Sequence, residues 1–480
     1  MLQGTGSDVG KSVLTAALCR IAKRRGLSVA PFKPQNMSNN AAACPDGGEI
    51  GRAQALQARA AGMVPNTDMN PVLLKPESDR AAQVVVHGKA LTTMQAADYM
   101  ANRDQLIDAV MASFDRLRAA HDLILVEGAG SPAEVNLRER DIANMGFARR
   151  ADVPVCLIGD IDKGGVIASL IGTQNVISAE DAAMIKGFII NKFRGDLTLF
   201  DDGVSFIETR TGWPCFGTVP WLSATAELPA EDAVTLQRPA PIKSGSVKIA
   251  APMLSRIANF DDADPLRLEA GVDFQWVPPG TPLPRDADLI ILFGTKSTIG
   301  DLAFLRAQGW DHDIIAHARS GGRVLGICGG YQMLGQTISD PDGYDGSPGT
   351  VSGLGLLNVE TRMTETKTIE QVTGTYARTG NPLSGYEIHN GRSKGPDTAR
   401  PFATLVDRLD GARSPDGLIE GTYLHGPFAS DAFRRAWLKS FGVSATDRSS
   451  YEARVNAAMD KLADGVEAAL DVDALFALAR

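Results

Sequence analysis

Apolar side chains recur at helical spacing from Lys11 onward. Val13, Leu14, Ala17, Leu18 and Ile21 fall on one face, so a helix is predicted over 11–26. Farther along, short and nearly continuous apolar runs end in polar or glycine-rich turns: HDLILVEGAG (121–130), VPVCLIGDIDKGG (153–165) and IKGFIINKFRGD (185–196). Strands that are apolar on both faces must be covered on both, and helical stretches lie between some of these runs. The pattern predicts a doubly wound parallel sheet with chemistry gathered at the C-terminal ends of its strands. The polar, proline-rich LQRPAPIKSG (236–245) has no period and predicts a linker. A second strand-rich unit opens at VKIAAPML and contains ADLIILFG (287–294) and RVLGICGG (323–330), the latter running into a helical YQMLGQ. The expected fold class is α/β with two doubly wound domains, an N-terminal P-loop-type parallel sheet over 1–236 and a second domain over 247–443. A linker at 237–246 joins them, and a helical tail occupies 444–480, periodic from Tyr451.

At 480 residues, with 44% hydrophobic and 22% charged side chains, the chain is long enough to bury large cores in two or three domains. Its five cysteines show no CxxC or other metal-ligand spacing, and a chain of this size needs no disulfide framework. Reduced thiols in a cytoplasmic protein are expected. No apolar run approaches a membrane span, and the N-terminus lacks the basic segment and apolar core of a signal peptide. A net charge of −9 disfavours a nucleic-acid partner, which would need clustered Lys and Arg to neutralise phosphates. The one basic run, KRRG (23–26), is explained by its place at the end of the predicted helix, where cations face the dipole and glycine supplies the cap.

The stretch GTGSDVGKS (4–12) reads as a phosphate-binding loop with altered spacing. The common loop has four residues between its first glycine and the Gly-Lys pair, whereas Gly4 and Gly10 enclose five. The physical requirements are still met. Gly4, Gly6 and Gly10 let backbone amides, that of Thr5 among them, curl around phosphate; Lys11 supplies a point charge, Ser12 can ligate magnesium, and a helix N-terminus follows. An ordinary glycine-rich turn could carry the same letters, but the later strand LVEGAG places Glu127 at its tip as a second metal ligand. Only Met1, Leu2 and Gln3 precede Gly4, so the strand ahead of the loop is expected to be a stub and the true start to lie several codons upstream.

A second reactive centre is expected at GICGG (326–330). Cys328 sits where an apolar strand meets a helix, and small residues on either side permit the tight turn of a nucleophile elbow, with a helix N-terminus to lower the thiol pKa. Cys19 and Cys156, in apolar helix or strand contexts, read as buried structural thiols. A thiolate nucleophile needs a base, and His425 in GTYLHGPF follows a short strand-like run downstream. His389 in YEIHNG is either a second polar participant or a satisfied structural histidine.

The widened first loop resembles that of dethiobiotin synthetase and its relatives, which phosphorylate a carboxylate. The chain order Cys then His resembles class I glutamine amidotransferases, in which a glutamate two residues after the histidine usually orients it. Here that position is Pro427, which leaves the third member unnamed. By the same resemblance the second domain is flavodoxin-like, and Gly294 in FGTKS and Gly329 would line the oxyanion site. The ordered set FKPQNMSNN, EIGRAQALQA, MNPVLLKP, RDIANM, GDIDKGG, INKFRGD, GICGGYQMLG and YLHGPF, together with the first loop, resembles the cobyric acid synthase family across nearly the whole chain.

That resemblance implies ATP- and glutamine-dependent amidation of four peripheral carboxylates (b, d, e and g) of adenosylcobyrinic acid a,c-diamide. Cofactors would be ATP and Mg²⁺, and partners would be small molecules (corrinoid, glutamine, ATP), with neither nucleic acid nor membrane. Lys11, Ser12 and the amides of 4–10 would hold the triphosphate, and Ser12 with Glu127 would hold magnesium, with Glu49 as a further metal candidate. Lys33 would pair with the substrate carboxylate or the transferring phosphoryl group, Asp141 would lie near the acyl phosphate, and Asn191 would read the base. For Asp141 and Glu49, solvated carboxylates at helix starts remain the alternative. An amidoligase of the a,c-diamide synthase type and a partition-type nucleotide-switch ATPase are the other readings. A switch module has no use for Cys328 and His425.

Overall fold

The computed structural model describes residues 1–77, 81–229, 236, 247–443 and 450–479. The expected linker at 237–246 and the first residues of the expected tail, 444–449, lie outside the described residues. The first unit is built on parallel strands. Leu2–Gly4, Val155–Asp160, Ile185–Phe193 and Cys215–Pro220 are neighbours in that order, all parallel. On the other side, Val29–Phe32 pairs in parallel with Leu123–Val126, and a parallel bridge from Leu2 to Glu127 joins this pair to the rest. The three-residue first strand is therefore flanked on both sides: Leu2 is in register with Cys156, and its carbonyl accepts from Gly128 N at 2.8 Å. The Met1 amine donates to Pro154 O at 2.8 Å. Every residue of Val155–Asp160 is buried, as its unbroken apolar run requires.

Helix Lys11–Arg24 buries Leu14, Ala17, Leu18 and Ile21 against this sheet, the face expected from their spacing. Two further features carry no local signal in the sequence. An additional sheet of Gln35–Met37, Val72–Pro76, Ala81–Val86 and Lys89–Gln95 is grafted onto the first unit. The tail helix Tyr451–Ala469 returns to the first unit and buries Val455, Met459, Leu462 and Val466 in the same core as Leu14 and Leu18. The basic run ends the helix as expected, with Lys23 and Arg24 in its last turn and Gly26 left-handed (φ 85°) just beyond it, and it also meets the tail, where Arg24 pairs with Asp464 at 2.6 Å and Arg25 with Glu467 at 2.8 Å.

In the second unit, strands Val247–Pro252, Val272–Val277, Leu289–Leu292, Arg323–Ile327 and Ile419–Thr422 are parallel. Taken in chain order they lie in the order 2-1-3-4-5, the flavodoxin-like arrangement. Between the fourth and fifth strands the chain builds a second sheet around the long antiparallel pair Glu360–Tyr376 and Pro382–Lys394. That pair reaches both the fifth strand's exit, where Tyr386 bridges to His425, and the first unit, where Gln371 Nε2 donates to Ala43 O at 3.2 Å. All five cysteines are free thiols. No helix among the described residues is long and apolar enough to cross a membrane.

Candidate functional site

Two centres lie at C-terminal ends of strands. In the first, the loop after Leu2–Gly4 turns through Asp8 (φ 57°) and Gly10 (φ 99°) into the helix at Lys11. A Cβ on Gly10 would stand 2.2 Å from Asn191 Nδ2, so only glycine fits there. Lys11 Nζ donates to Gly6 O at 2.9 Å and to Gly130 O at 3.1 Å, which draws the ammonium back across the loop it is to serve. Ser12 Oγ donates to Glu127 Oε1 at 2.7 Å, and Lys33 Nζ donates to the same oxygen at 2.8 Å. Gln57 Nε2 reaches Glu127 Oε2 at 2.6 Å and Gln54 Nε2 reaches it at 3.3 Å. Burial alone would raise the Glu127 pKa, but Lys33 and these hydrogen bonds hold it below the usual carboxylate range. The carboxylate is therefore charged at neutral pH. Ser12, Glu127 and Lys33 thus form one polar group under the loop.

The other expected residues each engage protein groups. Asp141 is consumed by its own loop: Oδ1 accepts from Ala143 N at 2.8 Å and Asn144 N at 2.9 Å, and Oδ2 accepts from Gly146 N at 2.9 Å. It acts on the centre indirectly, because Asn144 Oδ1 accepts from Ala129 N at 3.1 Å and so fixes the chain beside Gly130 and Lys11. Glu49 is paired with two lysines. Its oxygens accept from Lys75, at 2.8 Å, and from Lys367 of the second unit. Burial works against its charge, yet the two ammonium groups lower its pKa to about 2. The Asn191 amide donates to Val9 O at 2.8 Å and props the phosphate loop. Hard oxygen donors at Ser12 and Glu127, together with nucleotide phosphates, suit Mg²⁺, which is commonly bound by one or two carboxylates plus substrate oxygens.

In the second centre Cys328 has φ 53° and ψ −111°, a strained turn between strand Arg323–Ile327 and helix Gly329–Leu334. Small neighbours are obligatory: a Cβ on Gly326 would lie 2.6 Å from Gly330 O, and one on Gly330 would lie 2.0 Å from Leu292 O. Gly294 packs against both partners, since a Cβ there would approach His425 Cε1 to 2.9 Å and Cys328 Cβ to 3.6 Å. Gly329, the first residue of the helix after the nucleophile, also adjoins the 294–295 turn, where its Cβ would meet Thr295 N at 3.2 Å. Cys328, Gly294, Thr298 and His425 line one cavity, which Asn39 and Lys75 of the first unit also line.

The carboxylate partner of His425, which the sequence left unnamed, is Asp262. His425 Nδ1 donates to Asp262 Oδ2 at 2.7 Å, and Asp262 Oδ1 accepts from Gly426 N at 2.7 Å, so the carboxylate grips both ring and backbone. The pair is fully buried. Burial alone would lower the imidazole pKa, but Asp262 and the adjacent Cys328 raise it to about 10. His389 has both ring nitrogens engaged, with Gly391 O at 2.9 Å and Glu387 Oε2 at 3.1 Å, and its ring stacks on Tyr423. The only local hint of Asp262 was the acidic string at 261–264, which nothing in its spacing tied to a histidine far downstream.

A thiol nucleophile, a carboxylate-held imidazole and glycines at the turn can cleave an amide through a thioester; a phosphate loop beside a buried Lys–Glu pair can transfer phosphoryl groups. Comparison with known proteins gives the same division. Residues 1–236 match the family described as CobQ/CobB/MinD/ParA nucleotide binding domain, and residues 248–433 match the CobB/CobQ-like glutamine amidotransferase domain. The chain is 67% identical over 479 residues to a cobyric acid synthase of Hyphomonas neptunium, covering 100% of this chain and 97% of that one. It is 65% identical over 481 residues to that of Paracoccus denitrificans (100% and 99% covered) and 62% identical over 480 residues to one from Cereibacter sphaeroides (100% and 99% covered). The chain belongs to the cobyric acid synthase family, glutamine-dependent amidating ligases of cobalamin synthesis.

Proposed function

We propose that the chain amidates the four peripheral carboxylates b, d, e and g of adenosylcobyrinic acid a,c-diamide, using ATP and glutamine for each. A free carboxylate resists ammonia because its oxygen is a poor leaving group. A substrate carboxylate oxygen therefore attacks the γ-phosphorus of ATP, ADP departs, and an acyl phosphate forms. Ammonia then attacks the acyl carbon and inorganic phosphate leaves. Lys11 and the loop amides hold the triphosphate, and Lys33, already paired with Glu127, meets the negative charge of the substrate carboxylate or the moving phosphoryl group. Ser12 and Glu127 would hold Mg²⁺, which when bound neutralises phosphate charge.

Free ammonia is mostly protonated at neutral pH, so it is made where it is used. The Cys328 thiolate attacks the glutamine side-chain carbonyl, the C–N bond breaks, and the His425 imidazolium gives its proton to the departing ammonia. Water, deprotonated by His425, then hydrolyses the thioester to glutamate. Asp262 keeps the imidazole in the tautomer both steps need. The backbone N–H groups at Gly294 and Gly329 are the candidates for stabilising the tetrahedral oxyanion.

The observation that carries this reading is the presence of both centres in one chain that is 67% and 65% identical to cobyric acid synthases over its full length. The test is mass spectrometry of the product from adenosylcobyrinic acid a,c-diamide, ATP and glutamine. Four hydroxyl-to-amino exchanges on the corrinoid support the reading. Conversion of cobyrinic acid alone, at its a and c carboxylates, would place the chain with the diamide synthases.

A further inference from the structure

The helix Arg52–Ala61 belongs to the nucleotide-binding unit, yet it touches both centres. Gln54 and Gln57, in its first two turns, donate to Glu127, and Gln57 Nε2 also reaches Ser12 O at 3.2 Å. Its first residue points the other way. The Arg52 guanidinium pairs with Asp261 Oδ2 at 3.1 Å, the residue next to the triad carboxylate Asp262. It also donates to the Tyr386 hydroxyl and lies 5.2 Å over the Tyr386 ring. Tyr386 in turn stacks on the His425 imidazole, with centroids 5.2 Å apart and planes 17° from parallel, and its backbone exchanges both hydrogen bonds with His425.

The segment that carries Asp262 is held at a second point by the same unit. Asn259, with φ 53°, accepts at its side-chain oxygen from Ala41 N at 3.0 Å, while its own N–H donates to Asn40 Oδ1 at 2.7 Å. The Arg52 N–H donates to Asn40 O at 3.1 Å, so the clamp on Asn259 and the start of the helix are one structure. A left-handed asparagine persists only where its surroundings over-determine it, and here those surroundings come from the other domain.

We propose that Arg52 is a positioning residue that couples the two active sites, setting the orientation of Asp262 and His425 according to the state of the nucleotide site. The inference rests on the reading of the Cys328 centre as a glutaminase. Any movement of Ser12 and Glu127 that nucleotide binding demands is passed to Gln54 and Gln57, and hence to the helix whose first residue grips Asp261 and Tyr386. A packed helix shifts as a unit, so a displacement at one end reaches the other. The consequence is economy of ammonia: glutamine is cleaved fastest when an acyl phosphate can be made.

The experiment measures glutamate release by the full chain with and without ATP plus adenosylcobyrinic acid a,c-diamide, for wild type, Arg52→Gln, Arg52→Lys and Asn259→Gly. Glycine suits the left-handed backbone at 259, so that variant removes the side-chain clamp without adding strain. Wild type should show stimulation by ATP and corrinoid of about tenfold, within the ordinary range of coupling between sites. Arg52→Gln and Asn259→Gly should lose that stimulation and lower kcat for glutamine, while KM for glutamine and ammonia-dependent amidation stay within about threefold of wild type. Arg52→Lys, which keeps the charge but not the planar contacts, should recover part of it. Wild-type stimulation in both Arg52→Gln and Asn259→Gly overturns the proposal. So does a parallel fall of glutamine- and ammonia-dependent rates, which marks a general loss of packing, or an unstimulated wild type. No glutamate from wild type under any condition would instead defeat the glutaminase reading.

Discussion

Asp262 and His425 show how a residue's role is fixed by groups remote in sequence. Cys328, His425, Lys11, Ser12 and Glu127 stood out in the chain as candidates because each sits in a short local pattern whose glycines or strand end announce a turn. Asp262 could not, because its partner lies 163 positions away and position 427, where a glutamate was sought, holds proline. Glu49 and Asp141 have letters that suit a metal or phosphate site, and in the structure lysines from two domains pair with the first while its own loop amides bind the second. Replacing Asp262 by Asn leaves the imidazole without its acceptor and favours the wrong tautomer. Glutamine-dependent amidation should fall by about a hundredfold or more, with ammonia-dependent amidation retained, as steady-state rates with each nitrogen donor would reveal.

The same pair makes a pH-dependent contribution to stability. The folded His425 pKa of about 10 stands above the unfolded 6.5, so its stabilisation is complete below about pH 6.5 and is lost as pH rises through about 10. Thermal melts of wild type and Asp262→Asn should therefore differ most near the lower value and converge above the higher one. A gap that widened with rising pH would contradict the assignment.

At the scale of elements, the parallel strands were legible because burial on both faces writes an unbroken apolar run, and the first helix because its period is plain. Docking of the tail helix was not, since amphipathic spacing from Tyr451 says that a face is buried without saying against what. What holds it can be decided by magnitude. The ion pairs Arg20–Asp460, Arg24–Asp464 and Arg25–Glu467 lie at the surface, where each contributes about 0.5 kcal/mol. Truncating one fully buried apolar side chain costs about 2–5 kcal/mol. Leu462→Ala should thus lower the stability of the nucleotide-binding unit by about 3 kcal/mol in urea unfolding. Asp464→Asn should change it by less than about 1 kcal/mol, and less still at high salt.

The whole molecule joins two proposed chemistries in one chain, and they should be separable by substitution. In the proposed mechanism Lys11 serves only phosphoryl transfer. Lys11→Ala should abolish amidation with either nitrogen donor and leave glutamate release without ATP near the wild-type rate, which a coupled glutamate assay would measure. The overall assembly was legible as two α/β units in sequence, but their contact was not, because Asn39 and Lys75 reach the Cys328 cavity from a grafted sheet and its flanking loop with no counterpart in the local patterns.

The most direct measurement is corrinoid amidation by Cys328→Ala with glutamine and with ammonia at high pH. Removing the thiol abolishes thioester formation but leaves the Lys11, Lys33 and Glu127 group untouched. Cys328→Ala should give no amide product with glutamine and a near wild-type rate with ammonia; full glutamine-dependent activity in this variant would show that Cys328 does not release the ammonia.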